Sequence, residues 1–106
     1  MPTPFRRYEL LLPTSFNDGA AVPRKLIGQT LREVRKQFAA ISVETQPLQG
    51  EWQHAGRVYR DLNIRLFVDV PDIPEAREFF VKYKERLKER FQQLDIWMTT
   101  YLVEVI

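Results

Sequence analysis

Residues 41 to 70 read ISVETQPLQGEWQHAGRVYRDLNIRLFVDV, and the way they pair decides the fold. Ala55 and Gly56 stand at the centre, and glycine supplies the positive backbone dihedral that a tight hairpin turn requires. With His54 facing Arg57, the register aligns Ile41 with Val70, Val43 with Val68, Thr45 with Leu66, Pro47 with Ile64 and Gln49 with Leu62. One face is then apolar along most of its length. The same register sets Glu51 against Arg60 and Trp52 against Tyr59, cross-strand pairs that contribute about 0.2 to 1 kcal/mol each. A slip of one residue would send every apolar side chain to the other face. Pro47 lacks a backbone donor, so its strand is an edge or carries a bulge there. Arms of about thirteen residues at about 3.3 Å per residue would run about 43 Å, more than one small core covers. The tip, with Trp52, His54 and Tyr59, is expected either to bend across the sheet or to project and grip a second subunit.

Outward from the hairpin, Tyr8, Leu10 and Leu12 alternate with Arg7, Glu9 and Leu11 in a strand that ends at Pro13. Asn17, Asp18 and Gly19 form a turn. Pro23 opens a helix over 24–38, where Ile27, Leu31, Val34 and Phe38 make one apolar stripe. Beyond the hairpin, Asp72 is the expected cap of a second helix over 74–93, with Pro74 in the first turn and Glu75 completing a capping box. Phe80, Tyr83, Leu87, Phe91 and Leu94 are its expected buried stripe. The last stretch, IWMTTYLVEVI, is rich in β-branched and aromatic residues and should close the chain as a strand. The order β-α-β-β-α-β resembles the ferredoxin-like plait, an α+β sandwich whose four-stranded antiparallel sheet carries both helices on one face and has its first and third strands in the centre. Residues 1–106 are expected to form one such domain. The fold hosts many unrelated functions, but it leaves one sheet face without a helical cover.

Composition narrows the function classes. A chain of 106 residues with 44% hydrophobic content can build one core without a metal or disulfide staple. The absence of cysteine excludes disulfides, thiolate nucleophiles, iron–sulfur clusters and zinc sites that need sulfur. The opening MPTPFRRYELLLPTSF has an apolar run too short for a signal-peptide core or a membrane span, so a cytoplasmic location without membrane contact is expected. A net charge of +2 conceals a separation: residues 24–38 carry five basic and one acidic side chain, and residues 74–93 carry six basic and four acidic. The helical side is therefore positive, a pattern that ordinary solvated helix faces also show.

The hairpin register directs Glu44, Gln46, Leu48, Trp52 and His54, with Arg57, Tyr59, Asp61, Asn63, Arg65, Phe67 and Asp69, to the face away from the helices. The last strand adds Trp97, Thr99 and Tyr101. Mixed aromatic and charged patches of this kind mark interaction surfaces. The leading expectation is a self-associating module, a homodimer packed through this face, with Trp52, Tyr59, Arg65, Phe67, Trp97 and Tyr101 as interface or ligand-binding residues. Ranked second is a small-molecule pocket between two such sheets, with His54 or Asp61 handling protons. Against catalysis, Asp61 falls opposite Gly50, away from His54. Ranked third is nucleic-acid binding through Arg32, Arg35, Lys36, Lys84, Lys88 and Arg90. No phosphate loop, dinucleotide fingerprint, nucleophile elbow or RNP aromatic pattern occurs. Asp69, Asp72 and Glu75 are the densest carboxylates, but helix capping already accounts for two of them. Neither a metal nor a cofactor is expected.

Overall fold

Alternation along Phe5–Pro13 turns Tyr8, Leu10 and Leu12 inward, and this strand, β1, becomes the spine of the sheet. The computed structural model describes residues 4–106. After β1 come α1 (Arg24–Phe38), β2 (Ser42–His54), β3 (Arg57–Pro71), α2 (Pro74–Arg90) and β4 (Met98–Val103). The strands pair antiparallel in the order β2-β3-β1-β4, which puts β1 and β3 in the centre as the ferredoxin-like reading requires. Leu66, Val68 and Val70 of β3 join the β1 residues against Val34 of α1 and Phe80, Tyr83 and Leu87 of α2. Tyr8 stacks on Phe80 with ring centroids 4.2 Å apart, and Phe80 stacks on Phe38 at 5.3 Å. Such ring pairs add to the area that they bury.

A polar clasp fastens the two helices. The Tyr83 hydroxyl donates to Glu33 Oε1 at 2.7 Å, while Arg90 donates to Glu33 Oε2 at 3.0 Å and to Thr30 Oγ1 at 2.9 Å. Burial opposes the charged form of Glu33, but the Arg90 and Tyr83 hydrogen bonds outweigh it and hold the carboxyl below its usual range.

In the hairpin, the expected register holds from Leu48 opposite Asn63 to His54 opposite Arg57, including Glu51 with Arg60 and Trp52 with Tyr59. Toward the core it is displaced. Val43 faces Leu66 rather than Val68, Ser42 faces Phe67, and Ile41 lies outside the strand. The discontinuity falls between Glu44 and Leu48, where Thr45, Gln46 and Pro47 bulge opposite the single residue Ile64. Pro47 has no N–H for the ladder, and β2 is an edge strand, so the bulge can swell outward. The displacement is two residues, an even number, and each side chain keeps its face.

Two further expectations are corrected. Asp72 does not cap α2: Ile73 occupies the cap position without a side-chain bond, and the Asp72 carboxylate instead accepts from Arg6 Nε at 2.9 Å. A charge-assisted bond to a guanidinium outcompetes a neutral backbone donor. The helix also ends at Arg90, not near residue 93, and Gln92 then takes the left-handed conformation with φ 53°. Leu94 consequently leaves the stripe and is exposed, whereas Phe80, Tyr83, Leu87 and Phe91 are buried.

At the hairpin tip Ala55 and Gly56 both have positive φ, 51° and 76°, the signature of a type I′ turn. Alanine is poorly suited to that region. Ala55→Asn is expected to stabilise the tip by about 1 kcal/mol, read as roughly five-fold slower amide exchange at Trp52–His54 and Arg57–Tyr59. Unchanged or faster exchange would contradict this assignment of strain.

Candidate functional site

The face opposite the helices is built by the residues that alternate with the core. On β1 these are Arg7 and Glu9, and on β3 they are Arg65, Phe67 and Asp69; Arg7 pairs with Asp69 across one ladder and with Tyr101 across the other. Arg7 donates to both Asp69 oxygens, from Nε at 2.7 Å and Nη2 at 2.9 Å. Arg65 donates to Glu9 Oε1 at 2.6 Å and to Glu44 Oε1 at 2.7 Å, and the Tyr101 hydroxyl donates to the same Glu9 oxygen at 2.6 Å. The two guanidinium carbons lie 4.4 and 4.6 Å from the Phe67 ring centroid. Phe67 thus serves as a shared cation–π platform for both arginines.

The electrostatics follow from these contacts. The Arg65 hydrogen bond, opposed by burial and aided by Tyr101, holds the Glu9 carboxyl below its ordinary range. Arg7 does the same for Asp69. The Arg7 and Arg65 guanidinium groups are held more firmly protonated in return, each chiefly by the hydrogen bond to its carboxylate. Two cations and three carboxylates satisfy one another, leaving a rigid, patterned surface rather than a poised acid or base. Because both carboxyl pKa values are lowered by folding, their stabilisation is complete above the unfolded value near 4 and is lost as pH falls through the folded values. Thermal melts should therefore be flat from about pH 7 to 5 and fall steeply below about pH 4. A melting temperature that stays constant down to the lowest pH would contradict the network.

The second group lies on the arm. Trp52 and Tyr59 stack at 4.4 Å and 15°, and Trp52 Nε1 donates to Asp61 Oδ2 at 2.6 Å. Arg57 approaches the Tyr59 ring at 5.7 Å, and Arg60 donates to Glu51 at 3.1 Å. His54 is exposed beside the turn, while Asp61 is engaged by Trp52. Apart from Trp97, the residues singled out in the sequence therefore occupy two places. Arg65, Phe67 and Tyr101 belong to the sheet network; Trp52, His54, Tyr59 and Asp61 belong to the arm. Trp97 precedes β4, where its carbonyl accepts from the Leu11 amide at 3.0 Å and its side chain is exposed. Arg7 and Glu9 were not among the sequence candidates. The available signal was alternation, which gives a side chain's face but not its partner.

Asp69 and Asp72 are turned to Arg7 and Arg6 respectively, and among the described residues no group of three or more His, Cys, Asp or Glu side chains could hold a metal ion. Of the basic helix residues, Lys84 pairs with Asp95, Lys88 with Glu85 and Arg90 with Glu33. No helix among the described residues is long and apolar enough to cross a membrane.

No protein-family model matches the chain, and no curated protein matches it in sequence. Solved structures do share its fold. A phage SAM lyase in complex with S-methyl-5′-thioadenosine superposes with a TM-score of 0.66 at 12% identity, covering 99% of this chain and 92% of that one. CutA1 from Oryza sativa gives 0.62 at 14% identity over 97% and 83%. The divalent cation tolerance protein CutA1 from Thermus thermophilus gives 0.62 at 15% over 95% and 85%. At such identities the likeness is one of fold. The chain is an α+β protein with a four-stranded antiparallel sheet and two helices in βαββαβ order.

Proposed function

We propose that the chain is a self-associating α+β module that assembles through its open sheet face, with the β2-β3 arm reaching onto a second copy. The observation that carries this reading is the arm itself. The last β1-β3 pair joins Pro13 to Asn63, so Gln49–His54 and Arg57–Leu62 have no strand beside them but each other, and at the base the Leu62 carbonyl accepts from the Thr14 amide and hydroxyl. At about 3.3 Å per residue this ribbon extends about 20 Å past the sheet. Its residues include Trp52, Val58 and Leu62, which are 50%, 60% and 51% exposed. A lone two-stranded ribbon is marginal in water, and burying these groups on a partner would stabilise it at about 25 cal/mol per Å². Light scattering on the full chain at tens of micromolar is expected to give the mass of two or more copies. A single-chain mass would sink the proposal.

A second reading adds a small-molecule site where two copies meet. The stack of exposed Trp52 on half-buried Tyr59, flanked by Arg57 and Asp61, offers a flat aromatic surface to a planar ligand. S-methyl-5′-thioadenosine, present in the phage lyase structure, is a suitable probe. Saturable quenching of tryptophan fluorescence that disappears in Tyr59→Ala would support this reading. No quenching would dismiss it.

A further inference from the structure

A cavity of about 160 Å³ opens between α2 and β4, away from the sheet face and the arm, and is lined by Tyr8, Arg77, Phe80, Val81, Lys84, Met98, Thr99 and Thr100. Tyr8 and Thr100 are directly paired across β1 and β4. Their hydroxyl oxygens are both shut off from solvent, and neither has a hydrogen-bond partner among the described residues. Tyr8 as a whole is only 3% exposed. A buried hydroxyl without a partner gives up its hydration for nothing, so two on directly paired residues that line one cavity call for a ligand.

The remaining lining indicates its chemistry. Phe80, Val81 and Met98 are apolar, while the Arg77 and Lys84 side chains bring positive charge. Lys84 is shared with Asp95 at 3.0 Å, whereas Arg77 has no carboxylate partner among the described residues. We propose that this cavity is a binding site for a small organic anion, a carboxylate on a short apolar chain. Tyr8 and Thr100 donate hydrogen bonds to it, Arg77 pairs with its charge, and Phe80, Val81 and Met98 pack on its chain. Both hydroxyls are closed off from solvent, so a ligand reaches them only when the lining side chains part. Arg77, Lys84 and Met98 are the long, unbranched ones and can move with little resistance.

The test is an NMR titration of the full chain with butyrate, with 1-butanol as the uncharged control. Saturable shifts at the amides of Arg77, Val81 and Met98–Thr100 are expected with butyrate and not with butanol. Arg77→Gln, on an accessible helix face, should weaken binding about ten-fold. Tyr8→Phe keeps the ring that stacks on Phe80 and should abolish binding while melting no lower than the wild type; Thr100→Val is the second variant for the same comparison. No saturable shift, an equal response to butanol, or a Tyr8→Phe protein that binds butyrate unchanged or melts lower would overturn the assignment. The assembly state does not enter these readouts, so this proposal and the self-association proposal fail separately.

Discussion

Arg65→Met is expected to lower stability by about 2 to 3 kcal/mol, because it removes the central cation from a partly buried network. Arg65 is the common partner of Glu9 and Glu44, and its side chain and that of Glu9 are only 22% and 18% exposed. Methionine retains the length and can pack on Phe67, so the loss isolates charge from bulk. Glu9 is then left with the Tyr101 hydroxyl and with the more distant charge of Arg7. Its pKa should rise, so Glu9 contributes less to the loss of stability in acid, and the stability gap between variant and wild type should narrow below about pH 4. Adding Glu9→Gln to Arg65→Met removes the uncompensated charge and should recover about half of the lost stability. Urea denaturation of the two single variants and the double variant checks this: strictly additive losses would show that the two side chains act independently.

The strand and helix order was legible because the apolar spacing changes period cleanly, from two along Tyr8, Leu10 and Leu12 to helical along Ile27, Leu31, Val34 and Phe38. Face assignment in the hairpin was equally robust. The bulge at Thr45–Pro47 displaces the register by an even number, so Phe67 and Arg65 stayed on the open side even though their expected opposite residues were wrong. What could not be read was partnership across long sequence distances. Asp72, Pro74 and Glu75 look like a helix start, and only the fold brings Arg6 to Asp72. Likewise Arg7 and Glu9 are unremarkable until β1 lies between β3 and β4 and meets Asp69, Arg65 and Tyr101. The end of α2 was hidden for a local reason: Gln92, not glycine, adopts the left-handed conformation after the helix.

Shortening the arm is expected to leave a folded monomer in place of the proposed assembly. Replacing Gly50–Asp61 by an Asn-Gly turn would join Gln49 directly to Leu62, which already face each other across the ladder, through a two-residue connection suited to a type I′ hairpin. Leu62 remains, so its carbonyl still accepts from the Thr14 amide and hydroxyl. None of the deleted residues is in the buried core, and the remaining hairpin keeps the bulge and the Arg65 network. Cooperative melting should therefore persist. What disappears is the exposed ribbon with Trp52, Tyr59 and Val58, the surface that has most to gain from a partner. Within an intact arm, Trp52→Ala should raise the dissociation constant about 30-fold or more, the effect of removing an aromatic anchor worth about 2 kcal/mol. It also frees Asp61 and uncovers Tyr59, so part of that effect comes from a loosened arm. Sedimentation velocity over a concentration series separates the cases: if the wild type holds two or more copies and the shortened chain holds the same number, the arm does not hold the proposed assembly, and the sheet face with its Arg7, Arg65 and Phe67 network is left to hold it.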